Sequence, residues 1–296
     1  MRFYCMKQKT INKEVIINGI GVHLGQLSKV ILHPAPVDHG IVFFNPKFPT
    51  EKIKLGKIVP EQAIHASVLK KKDLIISTIE HLMSVILAFK IDNLLIEING
   101  IEVPILDGSA LTFVDLIEKA GIKGQNKDKK FLTVSSNLIF RDEKSGRYLE
   151  LIPAKINPET SEYDNNFYFD YTADFKHPLV GQSFFKGKLS TSFFKEEIAP
   201  ARTFGFLEQL PFLRDKGLAK GTSLGNTVVI GEEEFLNQPR FKNEFVRHKL
   251  LDLIGDLALL GKNLAGTVIA KKTGHNFNRL ITKNYIDSPE KWKLIK

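Results

Sequence analysis

The stretch VRHKLLDLIGD, residues 246–256, decides how the rest of the chain is read. Its surroundings, EFVRHKLLDLIGDLALLG, place Leu250, Leu251, Ile254 and Leu257 at helical spacing, which predicts a largely buried helix. Yet His248, Lys249, Asp252 and Asp256 fall inside the same run. At about 3.6 residues per turn, His248 and Asp252 lie one turn apart on one face, and Asp256 follows a turn later while drifting round it. Buried charges need partners, so something is expected beside that face.

A chain of 296 residues is long enough for two compact domains or for one large one. With 43% hydrophobic and 25% charged residues it has the composition of a globular protein, which excludes a disordered chain. No run of about 18 apolar residues occurs, and the opening MRFYCMKQKT has no apolar core followed by a cleavage site, which predicts a cytoplasmic protein; Met6 is an alternative start to Met1. Cys5 is the sole cysteine, which excludes an intrachain disulfide and a thiolate-rich zinc site, so a metal would need His and carboxylate ligands. The net charge of +9 favours an anionic partner without choosing among nucleic acid, phosphorylated metabolite and acidic membrane surface. The lysine clusters at 70–72 and 127–130 carry no zinc-finger spacing or RNA-binding aromatic signature and read as solvated faces.

Along the chain, EVIINGIG, KVILHPAP and GIVFFN read as strands, STIEHLMSVILAF as a helix, IDNLLIEI as a strand, and SALTFVDLIEKAGI as a helix ending at Gly121. KGQNKDKK, residues 123–130, is polar and without periodicity, and is the candidate linker. Strand-like runs then resume with FLTVSSNLIF, RYLELIPA and NNFYFDYTADF, followed by the helix around residue 250, the strand GTVIAKK and the helix HNFNRLITKNYI. Both halves thus read as strands, then helix, strand, helix. This predicts two similar α+β domains, residues 7–124 and 130–286, each a sheet packed on helices, with the helix layers facing each other. An insertion at about 204–230, with its own short helix and strand and several apolar residues, reads either as local packing or as a wall for a lipid chain. INPETSEYDNN, residues 156–166, reads as a surface loop.

If the two charged helices meet, His81 from one half joins His248 and Asp252 from the other, a normal ligand set for a catalytic zinc ion with one position left for water. The spacing alone is a weak signal, and the H-E-x-x-H pattern is absent. Glu80, next to His81, is placed to take a proton, although Ser77 and Glu80 also fit a helix capping box. His275, after Gly274 at a strand-to-helix junction, is the candidate acid, held by Asp256; its bland alternative is a polar residue at a helix start. Lys249 is either a surface cation or a contact for a phosphate or oxyanion, and Thr203 is a candidate oxyanion donor.

STIEHLMS, PILDGSA, ARTFGF, VRHKLLDLIGDL and KTGHNFN, in that order and over nearly the whole chain, resemble the UDP-3-O-acyl-N-acetylglucosamine deacetylases of lipid A biosynthesis in Gram-negative bacteria. GIGVHLG, HPAP and IDNLLIEING add to the match. The resemblance implies a zinc amidase of two α+β domains with an apolar passage for an acyl chain. It makes His81, His248 and Asp252 the zinc ligands, Glu80 the base, and His275 the acid with Asp256 as its partner. It makes Thr203 the oxyanion donor and Lys249 an active-site cation, with Phe204, Leu213, Ser223 and Leu224 toward the substrate. The chain departs from the family pattern at Gly221-Thr222-Ser223-Leu224, where a Gly-Gly-Ser run and an aromatic residue are usual, and at Phe277, where leucine is usual.

The expected activity is therefore zinc-dependent removal of the N-acetyl group from a UDP-linked, 3-O-acylated N-acetylglucosamine. The expected protein is a monomer that associates transiently with the inner membrane surface and binds no nucleic acid beyond the uridine nucleotide of its substrate. Alternatives are a zinc amidohydrolase on another N-acyl or nucleotide-linked substrate and, from a different class, a basic nucleic-acid or membrane-surface binding module whose histidines are core residues.

Overall fold

Alternating burial along VIINGI, with Val15 and Ile17 inside and Ile16 and Asn18 outside, is the pattern of a strand covered on one face. The computed structural model describes residues 6–296; Met1 and Cys5, on which the readings of an alternative start and of thiol chemistry bear, lie outside the described residues. The first half runs β1 (Lys7–Ile11), β2 (Val15–Ile20), β3 (Leu27–Pro34), β4 (Ile41–Phe44), β5 (Lys52–Lys54), β6 (Val68–Lys71), β7 (Leu74–Ser77), α1 (Glu80–Ala88), β8 (Leu94–Ile98), α2 (Leu111–Ala120) and β9 (Ile122–Asp128). The second runs β10 (Phe131–Val134), β11 (Leu138–Asp142), β12 (Arg147–Ile152), β13 (Phe167–Asp174), β14 (Gln182–Lys188) and α3 (Thr191–Phe193), which passes into a π-helical turn (Phe194–Ile198). It continues with β15 (Phe204–Phe206), α4 (Leu210–Asp215), β16 (Val228–Ile230), α5 (Glu244–Ala258), β17 (Asn263–Leu264), β18 (Gly266–Lys271), α6 (His275–Asp287) and β19 (Trp292–Ile295).

Each half holds one five-stranded sheet, in the orders β2-β3-β8-β4-β5 and β11-β12-β18-β13-β14. The directions also agree: the central strand, β8 or β18, is antiparallel to one hairpin (β3, β12) and parallel to the other (β4, β13). In both, that strand follows a helix, α1 or α5, so the two halves are copies of one α+β arrangement with little sequence in common.

The helix layers face each other. α1 is buried along its whole length, and α5 buries all but Arg247 and Lys249. The two helices pack tightly at Gly255, where an added Cβ would lie 2.1 Å from the Glu80 carbonyl oxygen, so only glycine lets the two backbones meet there. A second link between the halves is Asp92, whose carboxylate accepts the Lys9 N–H (2.7 Å), the Asn263 side-chain amide (2.8 Å) and the Lys129 ammonium (2.7 Å). Burial draws the Lys129 ammonium down to about 8 against the pull of Asp92.

Three sequence expectations are corrected. Residues 122–128 form β9, paired antiparallel with β1, because a two-stranded exposed ribbon needs no apolar alternation. FLTVSSNLIF is two strands in different sheets, divided at Ser135–Asn137, and the chain beyond residue 286 adds β19 to β10. Ser77 caps no helix: it lies in β7, and α1 has no side-chain N-cap. In the insertion, the expected short helix and strand are α4 and β16, the latter parallel to β15.

The Gly255 contact gives a signed expectation. Glycine to alanine in a helix interior gains about 0.5–1 kcal/mol, whereas a clash with backbone in a packed interface costs about 1–3 kcal/mol. Gly255→Ala should therefore lower the urea midpoint, while Gly124→Ala, with open space around its Cβ, should leave it unchanged or raise it slightly; equal midpoints for the two variants would contradict the packing described.

Candidate active site

Glu80 and His81 are the first residues of α1, placed there by a tight reversal out of β7. Thr78 makes that reversal with φ of 56°, a left-handed conformation that costs energy in a β-branched residue. Buried Glu102 holds it, accepting the Thr78 hydroxyl (2.9 Å) together with the N–H groups of His23 (2.8 Å) and Leu24 (2.9 Å). Gly21 makes room, since a Cβ there would meet the Glu102 carboxylate at 2.1 Å.

From the opposite helix come His248 and Asp252, one turn apart. The His81 and His248 rings meet edge to face with centroids 5.0 Å apart, and Asp252 Oδ1 lies 3.9 Å from His81 Nε2 and 3.5 Å from His248 Nε2. One ligand atom from each of the three residues lies within 4.8 Å of the others. A tetrahedral zinc ion with bonds near 2.1 Å sets its ligands about 3.4 Å apart, so a small inward adjustment would close this set on a metal. Other features fit as well. Asp252 is held far below the usual carboxylate range, because the Lys249 ammonium and the His275 imidazolium outweigh the burial that pushes it up. Burial drives His81 down to about 3 and lowers His248 as well, so both rings are neutral ligands. His248 Nδ1 donates to the Ala201 carbonyl (3.0 Å), which leaves Nε2 as its free lone pair. His81 Nδ1 is buried without a hydrogen-bond partner among the described residues.

Beside this set sit the base and acid candidates. His275, the first residue of α6, is held at Nδ1 by both Asp256 oxygens (2.9 and 3.0 Å), and its Nε2 faces Glu80 Oε1 at 3.7 Å and Asp252 Oδ2 at 3.8 Å. Burial disfavours the imidazolium, but the Asp256, Glu80 and Asp252 carboxylates reverse that and raise it to about 9. Glu80 is pushed up to about 7, chiefly by burial, with Asp252 and Asp256 adding to the shift and His275 opposing it. Lys249 pairs with Asp252 Oδ2 at 2.7 Å; burial works against its charge, and the Asp252 carboxylate holds it above its usual range.

Two further buried residues close the site. Ser67 donates its N–H to Glu80 Oε2 (3.1 Å) and its hydroxyl to Asp256, and the Asn278 amide donates to Asp256 Oδ2 (2.7 Å). Asn278 was legible as the residue one turn beyond His275; Ser67 carries no sequence signal. Arg202 and Glu244 were also missed: the Glu244 carboxylate accepts Arg202 N–H (2.8 Å) and Nε (3.0 Å), bracing the segment that offers the Ala201 carbonyl and Thr203.

A cavity of about 720 Å³ opens over this cluster. Thr203, Phe204 and Leu213 line it, as do Leu207, Leu210 and Ile64 on an apolar side and Arg147, Lys249 and Lys272 as cations. Ser223 and Leu224 do not line it. The Ser223 carbonyl accepts the N–H groups of Asn226 and Thr227, and this closed turn leaves both side chains exposed; Thr222 and Thr227 line the cavity instead.

Comparison with known proteins identifies the family. The family model for UDP-3-O-acyl N-acetylglycosamine deacetylase matches residues 8–287. Among relatives, the UDP-3-O-acyl-N-acetylglucosamine deacetylase of Helicobacter hepaticus is 41% identical over 293 residues, covering 98% of this chain and 93% of its own. The proteins of that name from Wolinella succinogenes and Nautilia profundicola are 40% and 42% identical, covering 98% and 95% of this chain and 94% and 92% of theirs. With every motif of the site inside the matched span, the chain belongs to the UDP-3-O-acyl N-acetylglycosamine deacetylase family.

Proposed function

We propose that this protein hydrolyses the N-acetyl group of UDP-3-O-(3-hydroxyacyl)-N-acetylglucosamine, releasing acetate at an early committed step of lipid A biosynthesis. The observation that carries the reading is the facing pair of Glu80 and His275 beside the His81, His248 and Asp252 donors. Those three residues would hold a zinc ion, which when bound polarises a carbonyl and lowers the pKa of water to about 7.

The chain's own groups divide the remaining work. Glu80 takes a proton from the attacking water as its oxygen bonds to the acetamide carbon. Thr203 donates its hydroxyl to the carbonyl oxygen as charge builds there, and Lys249 adds a positive field on the same side. His275 then gives its Nε2 proton to the nitrogen as the carbon–nitrogen bond breaks, and Asp256 stabilises the imidazolium before that transfer and orients the ring throughout. The wall of Phe204, Leu207, Leu210 and Leu213 suits the acyl chain, and Arg147 and Lys272 suit the diphosphate.

The division into two units, read from the sequence as 7–124 and 130–286 and carried by β9 to Asp128 and by β19 to Ile295, belongs to the same proposal, with the insertion at about 204–230 as acyl wall, as do a monomeric state, a cytoplasmic location and transient contact with the inner membrane surface. Among the described residues no helix is long and apolar enough to cross a membrane.

Acetate release from the acylated UDP-sugar should be abolished by chelation, restored by zinc, and far slower with UDP-N-acetylglucosamine lacking the acyl chain; equal rates on both sugars would point to another N-acyl substrate. Glu80→Ala and His275→Ala should retain metal, measured by atomic emission, while kcat falls by roughly 10² to 10⁴-fold. Glu80 must be unprotonated and His275 protonated, so kcat/KM should rise as pH approaches about 7 and fall as it passes about 9. Bound zinc moves the acid limb to lower pH, and His275→Ala should remove the alkaline limb; its persistence in that variant would assign the limb to another group.

A further inference from the structure

We propose that Ser67 is a positioning residue that locks the base and the acid of this reaction into one frame; the inference rests on the roles assigned above to Glu80 and His275. Ser67 stands just before β6, on none of the helices that carry the site, and is only 3% exposed. Its polar atoms are all engaged. The N–H donates to Glu80 Oε2 at 3.1 Å, the carbonyl accepts the Thr78 N–H at 3.1 Å, and the hydroxyl donates to Asp256 Oδ1. The hydroxyl oxygen also lies 3.2 Å from His275 Nδ1.

The arrangement has a directional consequence. With Ser67 tying one Glu80 oxygen, the other is left facing His275 Nε2, on the reacting side. With Ser67 on Asp256 Oδ1 and Asn278 on Oδ2, the carboxylate is gripped from both sides and cannot rotate, so the imidazole bonded to it is held in one orientation and one tautomer. Ser67 is not among the residues lining the cavity. It therefore acts on the rate of the chemical step through Glu80, Asp256 and His275, and leaves substrate affinity untouched.

The test uses the full-length, zinc-loaded enzyme and three variants. Ser67→Ala should lower kcat by roughly 10- to 100-fold, the usual effect of removing a group that orients a functional residue, with KM within about twofold of wild type and metal content unchanged. Ser67→Thr keeps the hydroxyl and should recover most of the loss, and Ser67→Cys, isosteric but a weaker donor, should fall between. A readout without substrate separates this inference from the functional reading: in enzyme carrying ¹⁵N-histidine, the His275 Nδ1-bound proton should shift or broaden in Ser67→Ala and return in Ser67→Thr. If wild type releases no acetate, the functional reading fails while the imidazole spectra still judge Ser67. A kcat within twofold of wild type in Ser67→Ala, an unaltered His275 signal, a loss accounted for by lost metal, or equal impairment of the Ala and Thr variants would each overturn the proposal.

Discussion

A backbone contact with no side chain between, Gly255 against the carbonyl of Glu80, is the constraint on which the rest depends. It brings two helices close enough for His81 and His248 to touch, and it withdraws Glu80, Asp252 and Asp256 from water together. Three carboxylates face two cations, Lys249 and His275, so the cluster carries one surplus negative charge in a low-dielectric place. Glu80 is pushed up to about 7, chiefly by its burial, with the neighbouring Asp252 and Asp256 carboxylates adding to it. A divalent cation at the three donors would reverse the balance, since burial that penalises a surplus carboxylate charge also strengthens its attraction to a cation.

Much of this was legible because it sits on regular elements. The α5 helix announced itself through Leu250, Leu251, Ile254 and Leu257, and the His248–Asp252 spacing follows from helix geometry alone. The equivalence of the halves was visible in the order of elements, and strand-for-strand correspondence appeared only in the pairing. What escaped was held by contacts remote in sequence or made by backbone. Ser67 reaches Asp256 across 189 positions, and the Ala201 carbonyl that orients His248 has no residue type to read. The Ser77–Glu80 capping pattern misled because Thr78 enters a left-handed conformation, which leaves Ser77 in a strand and frees Glu80 for Ser67.

The two halves diverge where they leave their common plan. Glu102 organises the wall of the first half by gripping the 21–24 loop and Thr78, and Glu244 does similar work in the second through Arg202. Both are buried carboxylates that accept backbone N–H groups, two each, with the Thr78 hydroxyl added at Glu102 and the Arg202 guanidinium at Glu244, a way of fixing loops that regular structure leaves free. The segment from β15 to β16 adds an apolar wall to the cavity, so the facing charged residues lie on the framework shared by the two halves and this lining lies outside it.

In each five-stranded sheet the middle strand enters only after the flanking hairpins and a helix have been made. Most contacts of β8 and β18 are therefore far apart along the chain, a topology whose loop-closure entropy makes folding slow. Helices α1 and α5 can dock only when both sheets have presented them, and the donors His81, His248 and Asp252 exist as a set only after docking. Capture of a metal ion is thus expected to be among the last events of maturation, and an ion taken up at that point stabilises the docked state by mass action.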